Sequence, residues 1–365
     1  MTGHYDAAII GAGVYGLMTA EKLAAAGQRV IVIDRFTPGH AVAASSGLTR
    51  AMHSLYDDAF YAGLAEQAVA AWRADYADAV VACGAAVFAT EPESCVSRIL
   101  RHGAARYREI TTAEMRQRYP QVGADYGCVE AQAGVLRLEW VRARLLERIG
   151  ALGVSCAFGQ EVMAIRDEGA EGFLLELPDR RVSCRNLVIC AGGFSQEVVD
   201  RIDGYRFDLR LRQDKPGLLH LFPRHAEQAA LMAASNMPAF AFIEDGIFVL
   251  PVIGGGIDYI KMGSYMPGGT QRGAAEIRAF IEKRLPFLMA FEVRDPAVMD
   301  QCTYDMTPDG DFIVGPLPGL ERAVIACGWN GGGYKFAPVL TDMIRGYALD
   351  GENNFPVRFN PDRFL

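Results

Sequence analysis

The stretch Asp6-Ala7-Ala8-Ile9-Ile10-Gly11-Ala12-Gly13-Val14-Tyr15-Gly16, with Val30-Ile31-Val32-Ile33-Asp34 after it, decides the fold. Asp6–Ile10 is a short apolar run that passes straight into a glycine turn. An amphipathic segment rich in Ala and Leu continues to Ala26, Gly27 closes it, and the second apolar run ends in Asp34. Strand, glycine turn, helix, strand and acid stand in the order of a βαβ dinucleotide site. Gly11 permits the tight turn, and Gly13 lets the backbone approach a pyrophosphate with no Cβ in the way. Gly16, with Ala20 one turn on, lets the helix pack closely on the sheet. The helix N-terminus, at Val14 and Tyr15, turns free N–H groups and the positive end of its dipole toward phosphates. Asp34 lies about twenty residues beyond the glycines, where a carboxylate accepts hydrogen bonds from a ribose diol. The same charge repels a 2′-phosphate and so disfavours an NADP-type ligand. This motif alone leaves FAD and NAD open.

The chain has 365 residues, room for two domains and a sizeable core. Its formal net charge of −8, with no face-forming Lys and Arg cluster, argues against nucleic acid. No apolar run is long enough to span a bilayer, and the N-terminal run is too short for a signal peptide. A soluble, cytoplasmic protein with no membrane partner is the expectation, and nothing demands more than a monomer. The eight cysteines include no CxxC pair and no His/Cys cluster, so no metal site is expected. Cys190 and Cys327 sit in apolar strand-like runs and read as small core residues.

Along the chain, residues 35–49 form a loop rich in Gly, Ala and Ser, and helical periodicity returns from Asp58 to Asp75. Thr111 followed by Glu114 marks a helix start, and Leu138–Leu152 is an amphipathic helix ended by Gly153. Val154–Ala164 and Gly172–Leu177 read as strands, and Leu187–Cys190 as a central parallel strand. From Arg210 to Tyr265 the pattern is mostly strand-like, with a helix near Gly273–Arg284. Strands at Phe312–Val314 and Ala323–Cys327, a glycine cluster and a helix over Pro338–Ala348 then restore an α/β pattern. The order describes an α/β nucleotide-binding domain interrupted by a strand-rich substrate domain.

Nearly end to end, the chain resembles the D-amino-acid-oxidase superfamily of flavoproteins, and within it the branch of monomeric sarcosine oxidase and N-methyltryptophan oxidase. Four signatures carry the resemblance: the N-terminal glycine turn with Asp34, the loop Ser45-Ser46-Gly47-Leu48-Thr49-Arg50, the segment Cys302–Phe312, and Gly328–Phe336 with its three glycines before Tyr334 and Lys335. It implies a Rossmann-like FAD-binding domain over 1–80, 137–210 and 303–365, and an α+β substrate domain over 81–136 and 211–302. It implies FAD, held by Gly11, Gly13, Val14, Tyr15, Gly16, Asp34, Arg35, Ser45, Ser46, Thr49, Arg50, Val162, Gly192, Cys302, Gly328, Gly331, Gly332, Gly333 and Lys335.

Cys302 matches the position bonded through sulfur to the flavin's 8α-methyl, which implies a covalent cofactor. Lys261 matches the cation that these oxidases hold near the flavin's reactive edge, where a fixed charge favours reduction of oxygen. Lys335 matches the lysine that binds the substrate carboxylate, and Arg50 a basic residue beside the flavin ring. Two neighbours depart from the pattern. Relatives carry a second arginine where this chain has His53, and a histidine where it has Ser46. Loss of the bidentate arginine fork makes sarcosine itself doubtful and points to a larger or differently anchored amine.

The expected function is therefore oxidation of a secondary or cyclic amine bearing a carboxylate, with Arg50, His53, Lys261 and Lys335 as the catalytic set. Hydride would pass to the flavin, and molecular oxygen would be reduced to hydrogen peroxide. The alternative is a flavin-dependent dehydrogenase of the same superfamily with a non-oxygen acceptor.

Overall fold

The computed structural model describes residues 3–91, 94–103, 105–267, 269–294 and 303–365. Strand β1 (Gly3–Ile10), helix α1 (Val14–Ala25) and strand β2 (Val30–Asp34) realise the opening motif. β1 lies at the centre of a sheet, parallel to β2 on one side and to Arg181–Ile189 on the other. Ser155–Phe158 extends the sheet beyond β2, and Ala323–Cys327 pairs in parallel with the C-terminal half of Arg181–Ile189. An antiparallel edge of Phe173–Glu176 and Ala164–Asp167 completes that side. The expected single strand over Val154–Ala164 is thus two strands, interrupted after Phe158 where Gly159 takes φ 76°. The residues 35–49 loop ends one residue earlier than expected, because Thr49–Met52 pairs with Gly134–Arg137.

The apolar runs are continuous because both faces of this sheet are covered. Ala7, Ile9, Val30, Val32, Val188 and Val324 pack into one core, beneath α1 and the helices Leu138–Ala151 and Ala337–Asp350. The alternate residues Ala8, Ile10, Ile31, Ile33, Leu187, Ile189 and Ile325 pack into another, against Phe173, Leu175 and Ile202.

A second eight-stranded sheet takes its strands from residues 85–130 and 218–294. It is antiparallel except where Ala239–Phe242 runs parallel to Ala85–Ala89. Helix Ala274–Arg284 seals one face through Ile277, Phe280 and Ile281. Leu218, Phe248 and Lys261 of this sheet line a cavity together with residues 49–51, His53 and Lys335. Among the described residues no helix is long and apolar enough to cross a membrane.

The glycine turn is fixed by close backbone approach. Gly11 has φ 112°, and a Cβ there would lie 2.3 Å from the carbonyl oxygen of Cys190. A Cβ on Gly16 would lie 1.8 Å from the carbonyl oxygen of Gly11. Gly16→Ala must therefore push α1 off the turn. The expected cost is about 1–3 kcal/mol, as for overpacked cores, read as a lower urea midpoint. A urea midpoint equal to the parent's would show that the helix yields freely.

Candidate active site

A groove runs across the C-terminal ends of the parallel strands, where open α/β sheets bind ligands. At one end the Asp34 carboxylate accepts from Ala12 N–H at 2.6 Å and from Phe36 N–H at 2.8 Å, bracing the turn. Val14 N–H donates to Ser45 Oγ at 3.1 Å, so the Ser45 loop folds over the first turn of α1. The remaining first-turn N–H groups are those an α-helix leaves without an internal acceptor. Arg35 pairs with Glu197 at 2.9 Å and lies 4.1 Å from the Phe194 ring, forming the outer wall.

At the other end Tyr15 reaches the glycine cluster. Its hydroxyl donates to the Gly333 carbonyl at 2.7 Å, and its ring stacks on Trp329 with centroids 3.8 Å apart. Arg50 closes this end, its guanidinium donating to the carbonyls of Ala44, Ser46 and Thr49, each at 2.8 Å. Beneath it Asp305 is buried and accepts from Gly328 N–H at 2.8 Å; burial pushes its carboxyl up to about 7. Asn330, in the left-handed region with φ 49°, ties this segment to the cluster through Thr307 N–H, Asp305 O and Gly328 O, each at 2.9 Å. The groove suits a dinucleotide: a Cβ-free turn, an open helix N-terminus and an acid at one end, and a fixed cation at the other.

A cavity of about 300 Å³ adjoins the groove, and Arg50, Tyr304, Gly331 and Tyr334 line both. Its floor is the free face of the second sheet, and strand register dictates its composition. One row across the strands reads Leu218, Gly263, Phe248, Ala241, Val87. The next holds Lys261, paired with Leu250, and Ala239, paired with Ala85. Gly263 leaves room for the Phe248 ring, which lies 2.5 Å from where a Cβ would be. The small residues make the space; the large ones keep it dry.

The roof comes from His53, Tyr56 and the Gly331–Lys335 segment. Lys335 is buried, its ammonium donates to Tyr56 OH at 2.8 Å, and its carbonyl accepts from Trp72 Nε1–H at 2.7 Å. Burial pulls Lys335 down to about 7, with Glu130 pulling it back up. His53 stacks on Tyr56 with centroids 5.3 Å apart, and its Nδ1 is buried without a hydrogen-bond partner among the described residues. Burial first, and then Lys335, hold its imidazole well below the usual range. Tyr265, hydrogen-bonded to Tyr56, is pushed up to about 12 by burial.

Of the residues singled out in the sequence, Gly11, Gly13, Val14, Tyr15, Asp34, Arg35, Ser45, Arg50, Val162, Gly192, Gly331 and Gly333 line the groove. Thr49, Arg50, His53, Lys261, Gly331, Gly332 and Lys335 line the cavity. Three line neither: Gly16 packs α1 on the turn, Ser46 donates Oγ–H to Ala41 O at 3.1 Å, and Gly328 is held by Asp305. Cys302 lies outside the described residues. Tyr56, Tyr265, Trp329, Asp305 and Glu130 were not anticipated. Asp305 stands inside a quoted signature, and Tyr56 and Tyr265 follow His53 and Lys261 by three and four residues. None of them shows a periodicity that would have singled it out.

A family model described as "FAD dependent oxidoreductase" matches residues 6–344. The N-methyl-L-tryptophan oxidase of Yersinia pestis (strain Pestoides F) is 26% identical over 369 residues, covering 95% of each chain. Among solved structures, L-proline dehydrogenase from P. horikoshii superposes with a TM-score of 0.82 at 16% identity, covering 100% of this chain and 98% of that one. Glycine oxidase from Geobacillus kaustophilus gives 0.79 at 18% identity, covering 100% of both. These two likenesses concern the fold.

Asp305 carries a pH signature. Its folded-state value, about 7, lies above the 3.8 of an ordinary aspartate, so the native chain holds that proton more tightly than the unfolded one. Its stabilising contribution is full below the ordinary value and is lost as pH rises through about 7. Asp305→Asn should therefore gain thermal stability relative to the parent as pH is raised from 5 to 8. Melting curves that stay parallel across that range would mean the group does not titrate there.

Proposed function

The chain belongs to the FAD dependent oxidoreductase family, and from that premise we propose that it oxidises a secondary or cyclic amine bearing a carboxylate, with oxygen as the electron acceptor and hydrogen peroxide as a product. The observation that carries this reading is the meeting of Lys261 and Lys335 in one largely apolar cavity beside the Arg50 end of the groove. In this reading the FAD-binding domain takes residues 1–80, 137–210 and 303–365, and the substrate domain 81–136 and 211–302.

Bound FAD supplies the two-electron acceptor for oxidation of the amine's carbon–nitrogen bond. Lys335, aimed by Tyr56, offers the carboxylate a charge-assisted hydrogen bond. His53, in the place of an arginine fork, presents an uncharged imidazole and leaves anchoring to Lys335 and to apolar contacts. The floor of Ala85, Ala239, Ala241 and Phe248 excludes water and accepts a bulky substituent. Lys261, buried on the same floor, supplies the positive charge that favours electron uptake by oxygen. The neutral amine needs no further base, and the imine product hydrolyses after release. Cys302, as the proposed covalent tether, would prevent cofactor loss.

A peroxide-release screen of N-methyl and cyclic amino acids on the yellow protein tests this reading. Bulky substrates should turn over better than sarcosine, and a preference for sarcosine would overturn the reading of His53. Dye reduction without peroxide would instead identify a dehydrogenase.

Lys261→Met should slow reoxidation of the reduced protein by about a hundredfold while leaving substrate-driven reduction nearly intact. Stopped-flow traces with unchanged reoxidation would remove Lys261 from the oxygen step. Acid precipitation should leave the yellow colour with the polypeptide, and Cys302→Ala should free it. Colour wholly in the parent's supernatant would exclude the tether.

A further inference from the structure

Outside the cavity lies a buried acid to which the reaction above gives no role. Glu130 ends the strand Tyr126–Glu130, opposite Ala85 on one side and Tyr107 on the other. It is 4% exposed and does not line the cavity. Its two oxygens accept from Ser54, Oε2 from the backbone N–H at 2.6 Å and Oε1 from Oγ–H at 2.9 Å. Tyr107 OH donates to the Ser54 carbonyl at 2.5 Å and lies 3.0 Å from Ser54 Oγ. Every polar group of Ser54 is therefore gripped by the second sheet, and Ser54 itself is fully buried. Around it His53, Leu55, Tyr56 and Asp57 line the cavity.

We propose that Glu130 is a positioning residue for the carboxylate anchor, fixing through Ser54 the His53–Tyr56 turn against Lys335 and placing a carboxylate behind that turn. The inference rests on the reading of Lys335 as that anchor. A buried ammonium loses hydration and tends toward its neutral form. The titratable groups lining the cavity with Lys335 include Tyr56 and His53 from the turn, Arg50 from Thr49–Met52, Lys261 from Ile260–Ser264, and Tyr265 beyond it, none of them an acid. Asp57 also lines the cavity but is paired with Arg98 at 2.9 Å. The acid that raises Lys335 against its burial is Glu130. Burial pushes Glu130 itself up, with its two bonds from Ser54 and the Arg106 charge opposing that and Glu66 reinforcing it.

The geometry separates two effects of one residue. Ser54→Ala removes a hydrogen bond from the grip and leaves the charge. Glu130→Gln keeps an acceptor and a donor for Ser54 and removes the charge. The probe is phenylacetate, titrated into the flavin-loaded protein between pH 5.5 and 9 and followed by the flavin's visible absorbance. In the parent, binding should weaken as pH rises through the Lys335 titration, and Lys335→Met should abolish that transition. Glu130→Gln should move the transition down by about one pH unit, the usual effect of losing a nearby opposite charge. Ser54→Ala should lower the melting temperature and leave the transition where it was. A transition unmoved in Glu130→Gln, or moved equally in Ser54→Ala, overturns the inference while the anchor stands. Phenylacetate binding that is absent in the parent, or independent of pH there, overturns the anchor and this inference with it.

Discussion

One tie holds the two ends of the chain at the spacing the site needs. Tyr15, in the N-terminal glycine turn, bonds the Gly333 carbonyl and stacks on Trp329, 318 and 314 residues later. The net worth of such a bond is only about 1 kcal/mol, and leaving the buried phenol unpaired would cost about 1–3. Its weight is geometric. It links the turn that addresses phosphates to the cluster that carries Lys335, beside the bonds of Lys22 to Pro338 and Asp342. Trp72, bonded to the Lys335 carbonyl, repeats the arrangement from a second helix.

Much of this was legible before any coordinate. Period and punctuation in the first thirty-four residues specify β1, α1 and β2, because parallel strands covered on both faces must be apolar throughout. The two interleaved cores, with Ala7 and Ile9 on one side and Ala8 and Ile10 on the other, are that rule made visible. The α/β class followed from the order of these elements, and the FAD-dependent family from the resemblance that the four signatures carry. What stayed hidden depends on contacts between distant strands. Ala85 and Ala239 become the floor of one cavity only through a parallel pairing that no local pattern announces. Nothing in the local pattern marks Glu130, whose hold on Ser54 spans 76 residues. Ser46 occupies a position implied to touch the flavin, yet its hydroxyl turns back to its own loop.

The cavity also shows how cations are kept in a dry place. Arg50 meets its desolvation locally, with three backbone carbonyls around one guanidinium. Lys335 has a single phenol beside it and an acid one layer away. The first is a permanent charge and the second an adjustable one. In the proposed reading an arriving carboxylate would add a second counter-charge to Lys335, on its cavity side.

The path of the chain between the two sheets has a consequence for how the molecule is made. The strand Ala85–Ala89 gains its parallel neighbour only when residues 239–242 arrive, and Arg181–Ile189, already parallel to β1, gains its second parallel neighbour only with residues 323–327. Neither sheet can be completed from a nascent N-terminal half. Pairings this remote in sequence are slow to form, because loop closure must precede the contacts that reward it. On the ribosome both sheets would hold open edges until nearly the whole polypeptide has emerged, a long interval in which apolar strands stand exposed. The interleaving that gives each domain a share of the site also makes the domains inseparable in synthesis.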